Sequence, residues 1–287
     1  TYVATAEVIS ILGATPIFVD VYESTFNIDC EKLETEINKV INEGKLKPKA
    51  IIPVDLFGLP ARYRLIDKIA KKYNLKVIED AAQSFGGSIR NKKVGTFGDV
   101  AATSFYPAKP LGCYGDGGAI FTNDDDLAEE CKAIRIHGTK KDKYNSEMIG
   151  LNGRLDSIQA AVLLEKLSIF DDELEMRNEV NSYYRKHLNN AQHHPEEYES
   201  AHALFSITLG SEGKRDKLID RLNHAKIPNV IYYKFPIHLM EGFRYLGYKK
   251  KDLPISETLS TNIVSLPMHP YLKFKDIDFI FSNIKNK

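Results

Sequence analysis

Short apolar runs alternate with amphipathic stretches through the first half of the chain, and few folds accept that order. Residues 16–21 (PIFVDV), 49–54 (KAIIPV), 75–79 (LKVIE), 100–105 and 119–122 read as strands, rich in Val, Ile and Phe and bounded by Gly, Pro, Asn or Asp. Between them, residues 30–42, 62–73 and 125–136 carry helical spacing. Strands this apolar and this regularly separated by helices predict a mostly parallel sheet covered on both faces. In such sheets ligands gather outside the carboxyl ends of the strands, so polar motifs at those ends are the first candidates for function.

Beyond residue 150 the pattern changes. Residues 155–188 read as helix, with Leu155, Ile158, Val162 and Leu167 spaced for one apolar face. A polar, His-containing break at 189–200 follows. A second α/β unit then runs from a strand at 203–209, through a helix reaching Arg221, to a strand at 230–233. The expected division is a large domain over 1–175 and a linking helix with a smaller domain over 176–287. The acidic run Asp124-Asp125-Asp126 reads as the cap of the helix after it, since carboxylates favour a helix N-terminus.

Composition excludes more than it assigns. Lys and Arg total 39 and so do Asp and Glu, so no basic footprint points to nucleic acid or an acidic lipid surface. Cys30, Cys113 and Cys131 form neither a disulfide framework nor a zinc-ligand spacing. With no apolar run near membrane-spanning length and no signal peptide in view, a cytoplasmic protein is expected. The chain opens at Thr1 without an initiator Met, in what reads as ordered structure, and so reads as a piece of something longer.

Three polar motifs carry chemistry. In SFYPAKPLGCYGDGG (104–118), Lys109 follows an apolar strand, is fenced by Pro107 and Pro110, and precedes a glycine-rich turn. A nucleophilic lysine must be held rigidly and partly desolvated, because its amine is protonated and inert at its free pKa. The same pattern describes an ordinary turn lysine, and the local sequence does not choose between them. In VIEDAAQS (77–84), a strand empties into Asp80, with Gln83 three residues on. A carboxylate there can hold a pyridine nitrogen protonated and make the ring an electron sink, though a helix cap or a metal ligand fits the local pattern too. In GLNGRLD (150–156), Asn152 and Arg154 stand on a Gly-punctuated loop suited to phosphate or carboxylate, and equally to a solvated helix start. His193-His194 lacks a third ligand at regular spacing, so no metal is expected. His137 and His269 read as structural.

Together these blocks resemble the DegT/DnrJ/StrS sugar aminotransferases, of the fold-type-I pyridoxal-phosphate class. IEDAAQSFG, SFYPAKPLGCYGDGGAIFTND and GLNGRLDSIQAA carry the resemblance. It runs from TYVATAEVISILGATPIFVDV almost to LPMHPYL, over nearly the whole chain. It implies that Lys109 forms the Schiff base with pyridoxal 5'-phosphate and later moves a proton. It further implies that Asp80 pairs with the pyridinium nitrogen, Gln83 lies near the ring oxygen and Ser104 binds the phosphate. Asn152 is implied to reach the phosphate of a neighbouring subunit's cofactor in a homodimer with shared active sites. Arg154 and Tyr232 are implied on the substrate side, Tyr232 at a position where some relatives carry histidine.

The implied reaction moves an amino group, with glutamate as expected donor, to a nucleotide-linked keto-sugar in surface-polysaccharide or glycan biosynthesis. The motifs look closest to enzymes acting on C-3 of a UDP-linked 3-keto-N-acetylglucosaminuronate; a dTDP-keto-deoxysugar is the other substrate class. Lys109 excludes the family's dehydratase branch, which has histidine there. A non-catalytic regulatory protein keeping the fold is the competing reading. The chain departs from the family's pattern at Arg62 and Arg64, where many relatives are acidic. It also departs before Thr1, where family members carry a segment with a Gly-Thr phosphate-binding loop.

Overall fold

The computed structural model describes residues 1–285. Helix α1 (Ala4–Ile11) comes first, then an extended stretch, then α2 (Cys30–Glu43). The sequence sets both ends of α2. Asp29 caps its start by accepting from the backbone N–H of Glu31 and Lys32, and Gly44 ends it in the left-handed region at φ 65°. Its apolar positions Leu33 and Ile37 pack against Ile66 and Ile69 of α3 (Tyr63–Tyr73), Ile51 of β1 (Ala50–Ile51) and Val77 of β2 (Lys76–Asp80). This cluster is the core of the first half of the chain.

A hairpin of β3 (Ser88–Ile89) and β4 (Lys92–Lys93) follows, then β5 (Val100–Ser104), β6 (Gly118–Phe121) and α4 (Asp125–Ile134). The main sheet has the order β1-β2-β5-β6. β1, β2 and β5 are parallel, with Asp80 level with Ala102, and β6 closes the edge antiparallel to β5. Asp124 caps α4 through its carboxylate and the N–H of Leu127.

The second half begins with α5 (Ser157–Leu167) and α6 (Phe170–Arg185). β7 (Tyr198–Glu199) joins β3, and β8 (Phe205–Thr208) leads to α7 (Glu212–His224), α8 (Pro254–Asn262), β9 (Ile263–Leu266) and α9 (Phe274–Lys285). β8 and β9 pair antiparallel and bury Ile207 and Val264 against Leu218 and Leu222 of α7 and Ile277 of α9. Phe170, at the start of α6, belongs to a cluster with Phe105 and Leu163, whereas Val180 and Tyr184 on the same helix belong to the β8–β9 core. The hand-over between the two cores therefore lies inside α6. Leu218 is fully buried. Leu218→Ala is expected to cost about 2–5 kcal/mol of stability, read as a lowered urea midpoint at unchanged slope.

Three expectations are corrected. Residues 16–21 run extended but form no strand, because among the described residues no neighbour offers them a ladder; only Val21 bridges, to Ile28. Residues 230–233 likewise reduce to one bridge, Val230 to Ser265, before a turn takes over. Residues 155–188 are two helices rather than one. The break at Ser168–Ile169 lets Phe170 turn inward, and Asp171, Asp172 and Glu173 favour the new N-terminus. The apolar face assigned to this stretch is not its buried face: Leu163 is buried, while Ile158 is 75% and Leu167 50% exposed.

Candidate active site

The site forms where β2 and β5 end side by side. Successive strand residues point to opposite faces, so Glu79 and Asp80 separate. Glu79 goes under the sheet, is fully buried, and accepts from the N–H of Gly95 (2.8 Å) and Phe97 (3.0 Å). Asp80 faces a cleft of about 970 Å³. Its Oδ2 accepts from Thr5 Oγ1 at 2.6 Å and its Oδ1 from the N–H of Ala82 at 3.1 Å.

Lys109 sits in the turn after β5, its own N–H bonded to the carbonyl of Tyr106 (2.8 Å). Gly112 closes that turn so tightly that a Cβ there would lie 2.7 Å from the Pro107 carbonyl oxygen. Below it, the Cys113 N–H returns to the Phe105 carbonyl, and Lys166 Nζ grips the Gly112 carbonyl at 2.6 Å. The Lys109 side chain is half-buried. Burial pulls its ammonium below the usual lysine range, and the Asp80 carboxylate partly opposes that. Among the described residues no ion pair joins the two groups, so the carboxylate acts on the amine through space. Ser104, at the end of β5, lines the cleft with Asp80, and its hydroxyl accepts from the N–H of Tyr106 at 3.2 Å.

Gln83 is buried and both ends of its amide are engaged. Oε1 accepts from the Phe57 N–H (2.6 Å) and Nε2 donates to the Tyr233 hydroxyl (2.9 Å). Burial pushes the Tyr233 phenol up to about 12, so it stays a neutral hydroxyl. The Phe57 turn is backed by Gly58 at φ 102°, where a Cβ would meet the Ala203 and His202 backbone nitrogens at 2.9 and 2.8 Å. Gly58→Ala should therefore lower the melting temperature by several degrees, and should move the Gln83 anchor with it.

Tyr232 lines the cleft too. It packs against Phe57 and Ile263, with its ring edge-on to Tyr233 at 5.4 Å. Asn152 and Arg154 lie elsewhere, exposed on the loop before α5, and neither side chain has a hydrogen-bond partner among the described residues. Within one chain, then, the fold gathers Asp80, Gln83, Ser104, Lys109 and Tyr232, and leaves Asn152 and Arg154 outside. Thr5, Tyr233 and the Phe57 N–H were not anticipated. Tyr233 had a signal, a second tyrosine beside Tyr232. Thr5 had none, being 75 residues from its partner. No group of three or more His, Cys, Asp or Glu among the described residues is placed to hold a metal, and no described helix is long and apolar enough to cross a membrane.

Beneath the site, Asp55 is fully buried and accepts from Ala61 N–H, Tyr63 Oη and Ser84 Oγ. Desolvation and the neighbouring Glu79 carboxyl raise Asp55 well above the usual range, and desolvation raises Glu79 from 4.5 to about 7. A carboxyl raised on folding stabilises the native state below its unfolded pKa and loses that contribution as pH climbs through the folded value. Stability in urea should thus fall between about pH 4.5 and 7, by roughly 3 kcal/mol from Glu79 alone at about 1.4 kcal/mol per pH unit. A flat stability profile across that window would show that these carboxyls ionise freely.

Residues 1–285 match the DegT/DnrJ/EryC1/StrS aminotransferase family. The chain belongs to that family. As a DegT/DnrJ/EryC1/StrS aminotransferase it is an enzyme of the amino-group-transferring class and depends on pyridoxal 5'-phosphate. It is 40% identical over 290 residues to the UDP-2-acetamido-2-deoxy-3-oxo-D-glucuronate aminotransferase of Pseudomonas aeruginosa, covering 100% of this chain and 77% of that one. It is 39% identical to the dTDP-3-amino-3,6-dideoxy-alpha-D-galactopyranose transaminase of Aneurinibacillus thermoaerophilus, over 97% of this chain and 74% of that one. The crystal structure of a DegT DnrJ EryC1 StrS aminotransferase from Brucella abortus superposes with a TM-score of 0.95 at 49% identity, covering 99% of this chain and 76% of that one. The side chains in and beside the cleft fit the family's cofactor chemically. A lysine amine with a depressed pKa can bond an aldehyde, a carboxylate free of ion-pair partners among the described residues can face a ring nitrogen, and a hydroxyl can meet a phosphate.

Proposed function

We propose that this chain transfers an amino group from glutamate to a nucleotide-linked keto-sugar, with C-3 of a UDP-linked 3-keto-N-acetylhexuronate as the foremost substrate and a dTDP-keto-deoxysugar as the alternative. The observation that carries this reading is the pairing of Lys109, half-buried and short of its normal basicity, with Asp80, whose carboxylate faces the cleft. Lys109 would hold the cofactor through its nitrogen, and the same amine, kept in the turn, would move a proton to and from the substrate carbon. Asp80 holds the proton on the ring nitrogen. Ser104 receives the phosphate, and Gln83 with Tyr233 forms the polar wall beside the ring. When bound, pyridoxal 5'-phosphate supplies the electron sink that makes the substrate C–H bond acidic.

The same reading makes a second copy part of the site. The Asn152 and Arg154 side chains have no hydrogen-bond partner among the described residues, and α5 beside them exposes Ile158, Leu164 and Leu167 on more than one side. A homodimer that covers Ile158 and its surroundings would deliver Asn152 to the partner's cofactor phosphate and Arg154 to the acidic group of its sugar. Ile158→Glu should shift the protein from dimer to monomer in sedimentation. An unchanged sedimentation coefficient would place the interface elsewhere.

The substrate is tested by supplying UDP- and dTDP-keto-sugars with glutamate and pyridoxal 5'-phosphate and scoring the amino-sugar by mass spectrometry. Amination of the UDP-3-keto-hexuronate, with a strong loss in Arg154→Ala, is expected. Preference for an uncharged dTDP-sugar, indifferent to Arg154, would select the alternative. A soluble enzyme of the cytoplasm serving surface-polysaccharide synthesis is the setting this chemistry suits.

A further inference from the structure

Asp80 must do two things in this reading: stay ionised and keep one orientation. A cation in direct contact could orient it, but would also neutralise the charge that a ring nitrogen needs. Among the described residues Asp80 has no ion pair within 4 Å. The hydrogen bonds it accepts come from neutral donors, the Thr5 hydroxyl on Oδ2 at 2.6 Å and the Ala82 N–H on Oδ1 at 3.1 Å, while the Lys109 and Thr1 amines act on it only through space. A carboxylate offers about four lone-pair sites, so these donors occupy one on each oxygen and leave the others available to the cleft that Thr5, Asp80 and Ala82 all line.

The Thr5 contact is not a by-product of helix geometry. A threonine in a helix commonly turns its hydroxyl back to a carbonyl of the preceding turn. Thr5 lies in the first turn of α1 and instead sends its only hydroxyl proton across to another element. The Ala82 donor is local to Asp80, two residues along, and fixes one oxygen only. The second anchor comes from α1.

We propose that Thr5 is a positioning residue for the reaction. It holds the Asp80 carboxylate turned to the cleft, with its full charge free for a protonated heteroaromatic nitrogen. This rests on the reading of Asp80 given above. It also ties the placement of α1 to the electronic state of the bound cofactor.

Two variants of the full chain test it, Thr5→Val, which keeps shape and removes the donor, and Thr5→Ser, which keeps the donor. In crystals of the ligand-free protein, Asp80 should hold one orientation in wild type and Thr5→Ser and spread over more than one in Thr5→Val. In titrations followed by absorbance, Thr5→Val should bind pyridoxal 5'-phosphate about tenfold more weakly, as expected for losing a hydrogen bond to a charged group, and Thr5→Ser within about twofold of wild type. The pH at which the bound cofactor changes colour should move in Thr5→Val and not in Thr5→Ser. A single Asp80 orientation in Thr5→Val overturns the proposal whatever the titration gives. So does equal weakening in both variants accompanied by lost thermal stability, which would mark Thr5 as a packing residue. If wild type itself bound no cofactor, the function above would fail, and the crystals would still decide the role of Thr5.

Discussion

Lys109→Ala is expected to abolish amination and to leave the protein folded. The fall in turnover should reach at least the 10²–10⁴-fold that a positioned proton-transfer group contributes, because the variant also loses its covalent hold on the cofactor. The structure explains why the effect is confined to chemistry. The turn carrying Lys109 is closed by backbone bonds, Lys109 N–H to Tyr106 and Cys113 N–H to Phe105, and by Lys166 on Gly112, none of which involves the Lys109 amine. Removing a half-buried ammonium that burial already disfavours should leave the urea midpoint unchanged or raise it slightly. Added small amines should restore part of the proton transfer but none of the covalent attachment. A variant that lost activity by unfolding would instead show a lowered midpoint and no rescue.

Asp80→Asn is expected to be the second most damaging change. The substitution keeps the shape and one acceptor oxygen, so either Thr5 or Ala82 keeps its bond while the other faces an amide N–H₂. The charge goes, and with it the reason for the ring nitrogen to stay protonated. A charge-assisted hydrogen bond contributes about 1.5–3 kcal/mol, which corresponds to roughly 10–150-fold in cofactor affinity. Turnover should fall further still, since the electron sink weakens in the transition state as well. Asp80→Glu keeps the charge but lengthens the side chain past Thr5, and should recover affinity better than turnover. Near-equal activity of Asp80→Asn and wild type would remove Asp80 from the chemistry.

The first half of the chain was legible because its elements are local. Asp29 and Gly44 bracket α2, Asp124 caps α4, and β2 and β5 are short apolar runs ending in polar residues, all visible in a few consecutive positions. Residues 16–21 and 230–233 were misread for one reason. Their β-rich composition states a preference, but a strand exists only where a neighbour supplies a ladder, and composition does not contain the neighbour. On α5 the apolar residues identified a helix yet not the face that is buried, because buried Leu163 and exposed Ile158, Leu164 and Leu167 are spread around the helix. The site divides the same way. Lys109, Asp80, Gln83 and Ser104 lie in two short motifs at adjacent strand ends. Thr5 and the Phe57 N–H reach the site only through the fold, from α1 and from the turn after β1.

The most direct test of the central claim is chemical. The chain is incubated with pyridoxal 5'-phosphate, reduced with borohydride, digested and analysed by mass spectrometry. The cofactor should be fixed on the peptide containing Lys109, and Lys109→Ala should carry no label at that peptide or elsewhere. Label spread over exposed lysines such as Lys140 and Lys141, equal in wild type and variant, would contradict the assignment of Lys109.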